Sequence, residues 1–199
     1  MLMKKLAAAA AAAVVMSTAG FGASAAEIVV NGSTTVLPIV QKALEGYSHE
    51  AGAAAISLSG GGSGNGIKAL IDGLTDVAMS SRDIKTSETN LAKSRGVTPY
   101  RIPVAVDAIV PVVNNANPVK NVTLATLKAI YEGKIRNWKD VGGKNAPIVV
   151  VSRDSSSGTF ETWEELVMKK ARVTPRALLQ ASNGTVVQTV AQNANAIGY

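Results

Sequence analysis

Short apolar segments rich in β-branched residues alternate along the chain with segments of helical periodicity. This alternation restricts the possible folds more than any other feature of the sequence. A continuous apolar strand is buried on both faces, which is typical of parallel or mixed sheets covered by helices. Between the strands, apolar residues recur at three- and four-residue spacing, which predicts amphipathic helices. The sequence therefore predicts an α/β fold with mixed sheets flanked by helices. The predicted strands are 28–30, 56–58, 76–79, 108–113, 148–151 and a last one that begins at 196.

The length of 199 residues and the prolines near its centre favour two lobes. One hydrophobic core commonly serves about 100 residues. Pro99 and Pro103 interrupt the pattern, and we place a crossover between the lobes near 102–106. The first lobe is then expected over 27–103 and the second over 104–199. The sequence stops inside an apolar segment, which favours a sequence truncated at its C-terminus.

The first residues have the pattern of a secretory signal peptide. Lys4 and Lys5 precede an Ala-rich apolar stretch, and the segment 23–25 is a small-x-small cleavage site. The apolar stretch is too short for a comfortable membrane span, so we expect a cleaved signal peptide over 1–26 and export to the periplasm. Cleavage lowers the net charge from +6 to +4, since the segment holds two lysines and no acid.

Charge and residue types exclude several classes of function. No run of Lys or Arg exceeds two residues and aromatic residues make up 4% of the chain, so no nucleic-acid partner is expected. The remaining positive charge suits a small anion equally well. The chain has no Cys and a single His, His49, which excludes thiol nucleophiles, Cys-ligated zinc and a multi-His metal site within one chain. We therefore expect no cofactor and no metal.

Three turns rich in glycine and hydroxyl side chains each follow a predicted strand and open a predicted helix. There, exposed N–H groups and the positive end of a helix dipole lie at the carboxyl edge of a sheet. Glycine lets the backbone approach a ligand, and Ser or Thr adds a hydroxyl donor. Ser and Thr are also the preferred N-caps, so any one of these turns can be an ordinary cap. The turns are 31–35, 59–66 and 153–159.

Together the three turns favour an oxyanion site, because donors aimed at one point from three sides would surround a tetrahedral anion. Arg153 adds a forked, charged donor to the third turn. The pattern does not name the anion. The segment 60–66 lacks the Gly-Lys-Ser/Thr end of a P-loop and the spacing of a dinucleotide fingerprint. The segment 183–185 matches the N-glycosylation pattern and is interpreted as a turn.

Five segments, in order along the chain, resemble the phosphate-binding proteins of bacterial phosphate ABC transporters. They are GSTTVLP at 32–38, GGGSGNGIK at 60–68, AMSSR at 78–82, IRNWKDVGG at 135–143 and the turn 153–159. The resemblance implies a two-lobed periplasmic-binding-protein fold of type II, with the anion held in the cleft between the lobes. It implies a non-enzymatic receptor, expected to be a monomer, that captures inorganic phosphate and delivers it to membrane permease subunits. In that family the chain returns to the first lobe, and this sequence stops before such a segment.

Carried over position by position, the resemblance places the anion contacts on the same three turns. One position departs, because Ser81 stands where well-studied members have an Asp that accepts the proton of bound phosphate and repels sulfate. Ser81 can donate or accept a hydrogen bond and would discriminate less sharply. Asp107, at the crossover, is the best substitute acceptor, and a hinge or capping carboxylate is the alternative. The contacts that match the family are Thr34, Thr35, Ser63, Arg153, Ser157, Gly158 and Thr159.

Other functions stay open at this point. A receptor of the same fold for sulfate, molybdate or tungstate is compatible with Ser81. A hydrolase of phosphate esters is less well supported, because the sequence shows no metal cluster and no nucleophile elbow. An extracellular adhesion or signalling protein could use the same fold without transport.

Overall fold

The computed structural model describes residues 27–199, so the predicted signal peptide over 1–26 lies outside the described residues. Three parallel strands form the first sheet in the order β2-β1-β3. We call this sheet and its helices the first lobe. Its elements in chain order are β1 (Ile28–Gly32), α1 (Leu37–Tyr47), β2 (Ile56–Gly60), α2 (Ser63–Ile71), β3 (Val77–Met79) and α3 (Thr86–Ser94).

The second sheet has four strands in the order β4-β7-β5-β6, and with its helices it forms the second lobe. The pair β4–β7 is antiparallel and the other two pairs are parallel, so the sheet is mixed as predicted. A 3-10 turn over Trp138–Val141 lies between α4 and β5. The elements are β4 (Val112–Val113), α4 (Leu124–Tyr131), β5 (Val149–Arg153), α5 (Gly158–Leu166), β6 (Leu178–Gln180), α6 (Asn183–Gln192) and β7 (Ala196–Gly198). Within residues 27–199 no helix is long and apolar enough to cross a membrane.

The connection between the lobes corrects one predicted strand. The apolar segment 108–113 was expected to be a strand, but only its last two residues, β4, are paired. The residues before β4, from 101 onward, have no regular structure and are mostly exposed. A strand exists only where a neighbour accepts its backbone hydrogen bonds, and only β4 meets β7. The predicted strand at 196 is confirmed as β7, which lies between β4 and β5.

An aromatic cluster forms the core beneath the end of β5. The rings of Trp163 and Tyr199 stack with centroids 4.2 Å apart and planes 4° from parallel. Tyr131 completes the cluster, and its hydroxyl lies 3.3 Å from the carbonyl oxygens of Val151 and Ile197. Burial raises the pKa of the Tyr131 hydroxyl well above its ordinary value, so it stays a neutral donor. The cluster ties α4 and α5 to the two central strands of the second sheet.

We expect Trp163→Ala to destabilise the protein strongly. Trp163 is 1% exposed, and truncating a buried Trp to Ala typically costs about 3–5 kcal/mol. Leu166→Ala on the same helix should cost much less, because Leu166 is 54% exposed. Urea denaturation of both variants followed by circular dichroism measures the difference in unfolding free energy. Equal losses in the two variants would contradict the assignment of Trp163 to the core.

Candidate anion-binding site

The first predicted turn follows β1 and leads into α1. Ser33 is buried, and its Oγ accepts hydrogen bonds from the N–H groups of Thr35 at 3.2 Å and Val36 at 3.3 Å. Pro38 occupies the first turn of α1, where the missing N–H costs nothing. Ser33 therefore closes the turn, and the half-buried side chains of Thr34 and Thr35 extend toward the second lobe.

The second turn follows β2 and brings α2 against the backbone of β1. Gly62 has a φ of 96°, a conformation that other residues rarely adopt. A Cβ on Gly66 would lie 2.6 Å from the Cα of Gly32, so the helix approaches the strand closely only with glycine there. This packing buries Ser63, the first residue of α2, at the carboxyl end of the first sheet. Ser63 Oγ accepts from the Ser81 N–H at 3.1 Å.

The third turn follows β5 and opens α5. Asp154 Oδ1 accepts from the Ser156 N–H at 2.8 Å and from the Ser156 hydroxyl, so this carboxylate closes the turn. Ser157 is the N-cap of α5, and its Oγ accepts from a backbone N–H three residues later at 3.2 Å. The turn is thus an ordinary cap. It also leaves the N–H of Gly158 and the hydroxyl of Thr159 at the positive end of the helix dipole.

The three turns meet where the two lobes touch. Thr35 Oγ1 lies 3.1 Å from Thr159 Oγ1, and Ser63 Oγ lies 3.2 Å from Ser81 Oγ. A Cβ on Gly158 would overlap Ser63 Oγ and would lie 2.7 Å from Ser81 Oγ. The N-terminus of α5 therefore lies directly against the first lobe. Hydroxyl groups that are more than 100 positions apart in the chain form one cluster.

Arg153, the last residue of β5, connects this cluster to the second sheet. Its side chain is almost fully buried, and Nε donates to the carbonyl oxygen of Gln180 at 3.0 Å. Nη2 donates to the carbonyl oxygen of Ala181 and to Thr34 Oγ1, each at 3.1 Å. Nη1 donates to the side-chain oxygen of Asn183. The guanidinium is therefore held rigidly by neutral oxygens from both lobes.

No carboxylate within residues 27–199 forms an ion pair with Arg153. Burial lowers the pKa of the Arg153 guanidinium, while the nearby Asp154 carboxylate acts in the opposite direction. A buried cation whose partners are all neutral is costly unless an anion compensates it. The geometry around Arg153 can therefore bind an anion that also meets the hydroxyl cluster.

Asn183 is a site residue that the sequence did not reveal. Its Nδ2 donates to Thr35 Oγ1 at 3.0 Å, and its Oδ1 accepts from Arg153. It begins α6 after the N-cap Ser182, so it belongs to a fourth strand–turn–helix junction. The signal was present in the segment 182–185, which combines hydroxyl, amide and glycine residues. The sequence indicates only a turn there, because the segment matches the N-glycosylation pattern and the short strand β6 before it is not predicted.

Asp107 lies apart from the hydrogen-bonded cluster. The residue is exposed, and its Oδ1 accepts from the N–H of its own neighbour Ala108 at 2.8 Å. It does line the same cavity of 540 Å³ as Thr35 and Ser81. The structure thus brings most of the other predicted residues into contact with one another or with Arg153, and it leaves Asp107 outside this cluster.

Comparison with known proteins decides the family. Residues 17–199 match the family described as a PBP superfamily domain. The chain belongs to the PBP superfamily. Its parallel first sheet and mixed second sheet, each flanked by helices, agree with the α/β fold predicted from the sequence. One sheet lies within residues 27–103 and the other within residues 104–199.

Several relatives of this chain are named as phosphate-binding or phosphate transport proteins. The phosphate-binding protein PstS of Staphylococcus epidermidis is 37% identical over 84% of this chain, and the chain spans 52% of that protein. A putative phosphate ABC transporter substrate-binding protein from Clostridium perfringens, solved with bound phosphate, is 36% identical with a TM-score of 0.79. An ABC-type phosphate transport receptor from Vibrio cholerae is also 36% identical, with a TM-score of 0.62. Each structural comparison covers 87% of this chain and 70% of the other.

We expect Gly158→Ala to disrupt the contact between the lobes. The added Cβ would overlap Ser63 Oγ, and overpacking of this kind costs about 1–3 kcal/mol. The melting temperature of this variant, measured by differential scanning calorimetry, should therefore lie several degrees below that of the wild type.

Gly46→Ala is the matched control, since a Cβ there meets nothing within 4 Å. It lies inside α1, where Ala is at least as favourable as Gly, so this variant should not melt below the wild type. Equal melting temperatures of wild type and Gly158→Ala would contradict the close approach of α5 to the first lobe.

Proposed function

We propose that this protein is a non-enzymatic receptor that captures inorganic phosphate in the periplasm and delivers it to the permease subunits of an ABC transporter. The observation that carries this proposal is the buried guanidinium of Arg153, whose partners in the described part of the chain are all neutral. It lies beside a hydroxyl cluster at the N-termini of α1, α2, α5 and α6. The names of the relatives, phosphate-binding proteins and phosphate transport receptors, support phosphate as the anion.

The proposed binding set surrounds a tetrahedral anion with donors from both lobes. Arg153 supplies charge, and the backbone N–H of Gly158 supplies the dipole of α5. The hydroxyl groups rotate to donate to individual oxygens. Asn183 orients Arg153 and Thr35 through its amide. The proposed contacts are Thr34, Thr35, Ser63, Ser81, Arg153, Ser157, Gly158 and Thr159, with Asn183 added from the structure.

We further propose that 27–103 and 104–199 are two lobes that close on the anion as a hinged pair and that the receptor is a monomer. Each lobe contributes donors to the same point, so an anion gains its full set of contacts only when the lobes meet. The proposed signal peptide over 1–26 supports a periplasmic location. A hydrolase is less well supported, because His49 is exposed on the surface and not beside the cluster.

Arg153→Ala should lose at least about tenfold in phosphate affinity, because a charge-assisted hydrogen bond contributes about 1.5–3 kcal/mol. Lys68→Ala should leave the affinity unchanged, since the Lys68 side chain is 74% exposed and pairs with Asp72. Isothermal titration calorimetry with phosphate measures both variants. Circular dichroism checks that each is folded. If Lys68→Ala weakened binding as much as Arg153→Ala, the site would be misplaced.

A receptor for another oxyanion remains the second candidate because the hydroxyl of Ser81 stands in the cluster without a carboxylate partner. Ser81→Asp should lower sulfate affinity by about tenfold more than phosphate affinity. An ionised carboxylate repels an anion that has no proton to share. Calorimetry with phosphate and sulfate in turn gives the ratio of affinities for wild type and variant.

Asp107→Asn is the control for that comparison. Asp107 is exposed and bonded to its own chain, so the ratio of phosphate to sulfate affinity should stay within about twofold of wild type. A clear rise in relative sulfate affinity would instead make Asp107 the proton acceptor. Tighter binding of sulfate than of phosphate by the wild type would favour the second candidate.

A further inference from the structure

Arg82 lies next to Ser81 and forms ion pairs with two carboxylates, Glu88 and Glu161. Its side chain is 8% exposed. Nη1 and Nη2 donate to the two carboxylate oxygens of Glu88, each at 2.8 Å, and Nη1 also donates to the carbonyl oxygen of Asp83. These contacts lie within the first lobe. They fix the guanidinium in one orientation without any contact from the second lobe.

The third nitrogen of Arg82 faces the second lobe. Nε lies 3.0 Å from Glu161 Oε1, as an ion pair without the geometry of a hydrogen bond. Lys85 Nζ lies 2.5 Å from the other oxygen of Glu161. Glu161 belongs to the first turn of α5 and is 19% exposed, so one carboxylate of the second lobe sits between two cations of the first.

We propose that Arg82 and Glu161 form an ionic clamp that keeps the two halves of the anion site in register, and this inference rests on the proposed function. Arg82 is bonded directly to Ser81. Glu161 lies three residues after Gly158 in the same helical turn. The clamp therefore connects the backbone next to Ser81 in the first lobe to the helical turn that contains Gly158 in the second lobe. Both are positioning residues, because they act on the ligand through Ser81 and Gly158.

The burial and pre-arrangement of the pair give the clamp its strength. Exposed ion pairs contribute little because water screens them and because two mobile side chains must be ordered. Arg82 is already ordered by Glu88 and is shielded from water. Ion pairs to Glu88 and Glu161 raise the pKa of the Arg82 guanidinium despite its burial, so it stays charged. Closure of the lobes then adds Glu161 at a small cost in entropy.

A structural role for Arg82 alone would make a different prediction. Glu88 also accepts from the Lys85 N–H at 2.8 Å and so caps α3, and the pair Arg82–Glu88 holds the first lobe together. Loss of that pair would lower stability with or without anion. Loss of the Glu161 charge removes the contact between the lobes and leaves the pair Arg82–Glu88 in place. The clamp is therefore tested at Glu161.

The test is Glu161→Gln, which keeps the size of the side chain and removes its charge. Stopped-flow measurement should show phosphate dissociating on the order of tenfold faster, with the association rate changed much less, because breaking a shielded charge pair acts mainly on dissociation. A merely structural role would lower the melting temperature of the anion-free protein and leave the dissociation rate unchanged.

Glu165→Gln is the matched control on the same helix, since Glu165 is exposed. It should keep the wild-type dissociation rate. Wild-type dissociation from Glu161→Gln, in a protein that binds phosphate, would overturn the clamp and leave the proposed function standing. Absence of phosphate binding by the wild type in calorimetry would overturn the proposed function and the clamp with it.

Discussion

The arrangement of the two lobes depends on the hydrogen bonds that hold the buried guanidinium of Arg153. It ends the central strand β5, is held by carbonyl oxygens at the end of β6, and reaches a threonine of the first lobe. Its backbone N–H donates to the Tyr199 hydroxyl at 3.3 Å, which links it to the aromatic core. Burial of a charge is unfavourable, and hydrogen bonds to neutral oxygens offset only part of the desolvation free energy. The position of this cation at the contact between the lobes therefore lowers the stability of the fold.

Close approach between backbones explains why the site is built from glycine and small hydroxyl residues. The Gly64 N–H donates to the carbonyl oxygen of Ser156 at 2.9 Å, a direct backbone contact between lobes. Side chains at Gly62 or Gly158 would collide with the opposite lobe. With glycines at these two positions, hydroxyl groups and helix N-termini from both lobes come within hydrogen-bonding distance of each other. Rigid donors brought from two sides are suited to a small tetrahedral anion.

Local sequence patterns predicted most of the helices and strands. They failed where the pairing of strands determines the structure. The segment 108–113 is as apolar as a buried strand, yet only its last two residues find a neighbour in residues 27–199. Strand β6 has three residues, two of them exposed leucines, so no periodicity reveals it. Because β6 was missed, the turn at Asn183 was not recognised as part of the site. These differences have one cause, since a strand is defined by its neighbour and not by its own composition.

The sequence by itself determined the α/β class, the three turns that open helices and the residue types suited to an anion. These follow from local periodicity, capping and glycine chemistry, which act within a few residues. Only the tertiary structure decided which of those residues meet. Thr35 and Thr159 are 124 positions apart and touch, while Asp107 remains exposed at the wall of the cavity. The physical reason is that the packing of two sheets, and not spacing along the chain, sets the distance between their carboxyl edges.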